Sequence, residues 1–126
     1  MGQAASNLDG QARPHQLIPS DRVEGTPVLR PNGDRIGTIK RIMIEKKSGQ
    51  VRYAVMTFGG FLGIGNDYYP IPWPLLTYNE EAGGYELDIS EETLRNAPKE
   101  TQDMDLGLRD DMPSAYTYYG AVPPGL

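Results

Sequence analysis

Between Val23 and Ile89 short apolar runs are separated by clusters of Gly, Pro, Asn and Asp, the spacing of an all-β domain with tight turns. Val28 and Leu29 precede PNGD (31–34), where Asn-Gly predicts a type I′ hairpin turn because both central positions need positive φ. The run RIGTIKRIMIEKK admits two periods. Ile36, Ile39 and Ile42 recur at helical spacing, yet the isoleucines, Thr38 and Gly37 favour a strand, and a bulge near Lys40-Arg41 reconciles a strand with a three-residue spacing.

KKSGQ (46–50) predicts a second turn, with Gly49 supplying the unusual dihedral. In VRYAVMTF (51–58), Val51, Tyr53 and Val55 face one way and Ala54, Met56 and Phe58 the other. Both faces are apolar, so this is the expected central strand. YYPIPW (68–73) lacks two backbone donors and predicts an edge strand or a bend. LLTYN (75–79) and YELDI (85–89) flank a Gly83-Gly84 turn. Ser90 is placed to cap a short helix with Glu91 and Glu92 in its first turn, and Pro98 ends it. The expectation is six short strands and one helix over 17–98, closed into a small barrel that protects its edges. Residues 1–16 are expected as a flexible arm, and 99–126 as a tail, acidic and then rich in Tyr and Pro, with little regular structure of its own.

Composition supports this outline. Fifteen glycines and 11 prolines favour short strands and turns, and an apolar content of 38% implies that part of the chain lies outside the core. Without cysteine, disulfides and thiolate chemistry are excluded. No secretory h-region is visible in the first twenty residues, and the uncharged run from Tyr53 to Asn66 is too short to span a membrane, so a cytoplasmic protein without a membrane span is expected. The net charge of −5 is unevenly divided: residues 1–52 carry nine Lys/Arg against five Asp/Glu, and the remainder three against twelve.

At this point the chain resembles the PRC-barrel domain family, over about residues 17–98. The resemblance rests on LIPSDRVEGTPVLRPNGDRIGTIKRIMIE, on KKSGQVRYAVMTFGGFLGIGNDYYPIPW and on GGYELDISEETLRNAP. The middle piece is the most specific, because a strand ending in FGGFLGIG and followed by an aromatic-Pro-x-Pro-Trp bend is an uncommon combination. The resemblance implies a six-stranded barrel of a kind found in the cytoplasmic subunit of photosynthetic reaction centres and in a ribosome-maturation protein, where it contacts other proteins and does no chemistry. Within the family the chain looks like the stand-alone bacterial branch. It is therefore expected to lack both the transmembrane helix of the first setting and the additional domain of the second.

The residues themselves do not suggest catalysis. Glycines 59, 60, 63 and 65 do not form GxGxxG, and YYPIP cannot open a phosphate-binding helix. The single His15 lies in the expected arm, so Ser48, Ser90 and Ser114 lack a base. Asp103, Asp105, Asp110 and Asp111 do not reproduce a calcium loop. No catalytic, cofactor-binding or metal-binding residue is predicted, and no cofactor or small-molecule substrate. Two groups remain. Phe61, Leu62, Ile64, Tyr68, Tyr69, Trp73, Tyr116, Tyr118 and Tyr119 are the candidate protein interface, through which a homo-oligomer or another protein would be contacted. Arg35, Lys40, Arg41, Lys46, Lys47 and Arg52 are a candidate basic patch. The patch would meet the acidic half of the chain or of a second copy. Alternatively it would serve an RNA- or ribosome-associated assembly factor, although the overall acidity opposes nucleic-acid binding.

Overall fold

The computed structural model of the protein describes residues 16–58, 67–99 and 112–122. Six strands form one sheet: β1 (Pro27–Leu29), β2 (Arg35–Ile44), β3 (Val51–Phe58), β4 (Asp67–Pro72), β5 (Thr77–Asn79) and β6 (Gly84–Glu86). Their order across the sheet is β4-β3-β2-β1-β6-β5. All pairings are antiparallel except β1 with β6, which run parallel. Among the described residues three helices accompany them, α1 (Ser20–Val23), α2 (Glu91–Arg95) and α3 (Met112–Tyr119), with a 3₁₀ turn at Trp73–Leu75.

The ambiguous run is a strand, and its bulge falls at the expected place. Ile39 pairs with Met56 and Arg41 with Val55, so Lys40 is the extra residue. In an uninterrupted strand, residues three apart point to opposite faces. The bulge cancels that rule and sends Ile39 and Ile42 to the same core, beside Met56 and Ala54. Ile39 is 1% exposed, and burying an isoleucine to this extent is worth about 1.5–3 kcal/mol.

β3 is the central strand expected from its two apolar faces. Ala54 and Met56 join the main core with Val28, Tyr69, Ile71, Leu87 and Leu94. Tyr53 and Val55 form a second layer on the other face with Met43 and Tyr68. Gly37 faces Phe58 in the ladder where β2 lies closest to β3. A Cβ at Gly37 would sit 2.0 Å from the Thr57 carbonyl oxygen, so only glycine permits this approach.

The turns follow from local chemistry, with one difference. In the first turn the Gly33 N–H donates to the Arg30 carbonyl, and Gly33 has φ 98°. A type I′ turn centred on Asn32-Gly33 would close one residue later. Pro31 takes the second turn position instead, with its φ fixed near −65°, and the Asp34 N–H donates to the Asn32 side chain. Gly49 and Gly83 supply the positive φ expected of their turns. Gly84 lies inside β6, where a Cβ would meet the Pro27 carbonyl at 2.7 Å. Ser90 caps α2 by accepting from the Thr93 N–H, and Leu94 and Ala97 are buried in the core.

Two expectations are corrected. The sheet is not closed as a barrel: β4 and β5 are its outer strands and do not pair. Residues two apart present their N–H groups to the same edge, so Pro70 and Pro72 remove two donors from one side of β4, and β5, with three residues, offers little to pair with. The second correction concerns the segment after residue 99. Residues 112–119 form α3, which packs against β4 with Ala115 and Tyr116 fully inside.

Gly37→Ala is expected to lower the free energy of unfolding by about 1–3 kcal/mol, because the new methyl must displace the backbone of β3. Glu81→Ala, in an exposed turn, should change it by less than about 0.5 kcal/mol. Urea unfolding of the two variants checks the contrast.

Candidate interaction site

One cleft stands out on the described surface. Three aromatic side chains wall it, and local sequence places each of them. Pro72 ends β4 and starts the 3₁₀ turn that presents Trp73. The hairpin turn at Gly83 brings β5 and β6 into a register that sets Tyr78 directly opposite Tyr85. The Tyr78 and Tyr85 rings lie 5.0 Å apart at 67°, and the Trp73 and Tyr85 rings 5.3 Å apart at 57°. Tyr85 is buried between the other two, and burial first, then its neighbour Tyr78, pushes its phenol ionisation up.

The chain before α1 supplies the opposite wall, with Gln16, Leu17, Ile18 and Pro19. Leu17 is 89% exposed, and Ile18 and Tyr78 are 39% exposed each, so apolar surface is concentrated on the lips. Arg22 and Glu80 give the rim one charge of each sign. The cleft encloses about 810 Å³, within the roughly 300–1,000 Å³ of ordinary ligand sites.

The predicted interface residues are divided by the structure. Trp73 belongs to the cleft. Phe61, Leu62 and Ile64 lie outside the described residues. Tyr68 is half-buried in the second-face layer. Tyr69 is buried, edge-on to Phe58 at 5.3 Å, with the Lys99 ammonium 5.7 Å above its ring. Lys99 also pairs with Asp67 at 3.5 Å. Tyr116 is buried and donates its hydroxyl hydrogen bond to the Arg52 carbonyl. Tyr118 donates to the Thr93 carbonyl at 2.7 Å, and its ring meets Tyr119 at 5.0 Å. The Tyr119 ring packs on the main core, and its buried hydroxyl has no hydrogen-bond partner among the described residues. Tyr69, Tyr116 and Tyr119 are thus committed to the protein's own interior.

The six basic residues are not gathered in one place. Arg35 opens β2 and donates to Thr38 Oγ1, whereas Lys46 and Lys47 lie beyond the far end of the same strand, roughly 30 Å away at the rise of a strand. Lys40 is exposed at the bulge and Arg41 is half-buried. Arg52 is bound to Glu45 at 2.9 Å. The Glu45 carboxyl is held below its ordinary range by the Ser48 hydrogen bond and then by Arg52. Among the described residues no group of three or more His, Cys, Asp or Glu side chains is placed to hold a metal ion, and no helix is long and apolar enough to cross a membrane.

Sequence reasoning missed Leu17, Ile18, Tyr78 and Tyr85. The two tyrosines were within reach, because a turn at Gly83 fixes which residues of the flanking strands face each other. Leu17 and Ile18 carried no such signal, since their placement depends on a single helical turn at Ser20–Val23.

Tyr116→Phe is expected to destabilise the chain by about 1 kcal/mol through loss of a buried hydrogen bond, whereas Tyr119→Phe, which removes an unpartnered hydroxyl, should stabilise it by a similar amount. The Tyr119 phenol ionises above its ordinary 10, mainly through burial. The stability linked to it is therefore complete below about pH 10. It declines as pH rises further, because the unfolded phenol ionises first. Denaturant titrations across the alkaline range should show a shallower loss in Tyr119→Phe than in the wild type.

Comparison with curated proteins finds no match. The sequence model of one family, described as PRC-barrel domain, matches residues 16–94, from the lip of the cleft to α2 and across all six strands. The match covers more than half of the chain, and the protein belongs to the PRC-barrel domain family.

Proposed function

We propose that the chain is a non-enzymatic interaction module that associates with a second copy of itself through the face bearing the aromatic cleft. The observation that carries this reading is the meeting, around one cleft, of exposed Leu17, Ile18 and Tyr78 with Trp73 and Tyr85. Exposed apolar surface at the mouth of a groove favours association. The lining suits docking better than proton transfer, because its polar members are one amide, one guanidinium, one carboxylate and the groups at the ring tips.

Charge favours a second copy as the partner. Lys40, Lys46 and Lys47 lie along β2 and just beyond it, while Glu80, Glu81, Glu91 and Glu92 lie around β5, β6 and α2, across the sheet from them. A two-fold arrangement lets the basic side of each protomer approach the acidic side of the other. The wide spread of the basic residues gives the RNA-binding alternative less support, because a phosphate-tracking surface needs them together.

Light scattering on the full chain at micromolar concentration is expected to give the mass of a dimer. Leu17→Glu combined with Tyr78→Glu should return it to the monomer, since carboxylates are costly to desolvate in an apolar contact. A wild-type chain that stays monomeric, or a doubly substituted chain that stays fully dimeric, overturns the proposal.

A further inference from the structure

We infer that the cleft is built for an extended, proline-bearing segment, and that its occupant is residues 121–126 (AVPPGL) of the second copy. The inference rests on the self-association proposed above and names the segment that carries it.

The form of the cleft selects the class of ligand. Trp73, Tyr85 and Tyr78 are inclined to one another by 57° and 67° rather than stacked flat, so Trp73 and Tyr78 stand as ridges on either side of the buried Tyr85, with shallow depressions in which small apolar rings can rest. Proline rings fit such depressions. A proline-rich segment also enters already extended, with three residues per turn and about 3.1 Å rise per residue, and gives up little entropy on binding. Arg22, which lines the cleft, is a donor for its free carbonyls. Six residues in this form span about 19 Å.

Charge and connectivity select the segment. Among the described residues the lining carries one Arg and one Glu, a balance that favours a neutral ligand. Of the stretches outside the described residues, 100–111 contains five acids, and 1–15 carries charge at Asp9 and Arg13 and ends next to Gln16, which lines the cleft. Residues 59–66 are tied at both ends, to β3 and β4. Residues 123–126 are uncharged and begin with two prolines. The positive φ of Gly120 ends α3, and by Val122 the chain is 73% exposed, projecting into solvent. A segment presented in this way is available to a neighbour.

The chain contains a single tryptophan, and Trp73 lines the cleft, so its fluorescence reads occupancy directly. In a chain shortened by residues 123–126, synthetic AVPPGL peptide should change Trp73 emission saturably. Affinity should fall roughly tenfold or more when both prolines of the peptide are replaced by glycine, a control that leaves the protein untouched, and likewise in Tyr78→Glu. Light scattering on the shortened chain should show loss of the dimer. A peptide that leaves Trp73 unchanged, or one that binds equally without its prolines, overturns the inference. A shortened chain that still dimerises as the wild type does overturns it while leaving self-association standing. Peptide binding by a full chain that is monomeric removes the second copy as the occupant and, with it, the self-association.

Discussion

A strand buried on both faces must be covered twice, and β3 sets that requirement for the whole molecule. Its neighbours are fixed by hydrogen bonding, β2 on one side and β4 on the other, and each must supply side chains to both layers. β2 meets the demand by spending one residue. With Lys40 set aside as a bulge, Ile39 and Ile42 line up behind Met56 and Ala54, and Met43 turns to the opposite layer with Tyr53. Without the bulge the same sequence would put Ile39 and Ile42, three residues apart, on opposite faces, because an extra residue taken into the ladder exchanges every later side chain between faces. Gly37 is the other half of the same constraint, since the bulged strand comes so close to Thr57 that no side chain fits there.

The rest of the sheet is arranged around that pair. β1, β5 and β6 are three residues each and contribute few ladder bonds. They are held by packing, with Val28 and Tyr85 in the core and Leu87 bonded through its N–H to Leu29. α2 fills the end of the core with Leu94 and Ala97. Arg30 ties this end to β1 through the Ile89 carbonyl at 3.2 Å and Glu91 at 3.8 Å. The helix thus closes one end of the core beside β1.

Much of this was legible because it rests on local chemistry. Strand periods, the Gly49 and Gly83 turns, the Ser90 cap, the bulge and the buried character of 51–58 each depend on a few neighbouring residues. The failures were of two kinds. The Pro31 turn was misread because Asn-Gly was weighed without the proline before it. The open sheet, the α3 helix and the cleft depend on contacts between distant segments. Tyr116 reaches Arg52 and Tyr118 reaches Thr93 across 64 and 25 residues of sequence. Nothing local to SAYTYYG marks those partners, and Pro, Ser and Gly at that position argue against a helix that only tertiary packing sustains.

The two outer strands then decide where another molecule can be received. β4 is long, but Pro70 and Pro72 take away donors and α3 lies against it. That edge is blunted by composition and covered by the chain itself, the usual protection against unwanted strand pairing. β5 is short and half exposed, and it carries Tyr78 at its centre. Three residues are too few to attract a strand through backbone bonds alone, so what this edge presents is decided by its side chains. The side chains gathered there are the aromatic ones, with an apolar lip opposite. The same brevity that leaves the sheet open therefore removes the hazard of a free edge and leaves, in its place, a surface made of rings rather than of unpaired backbone.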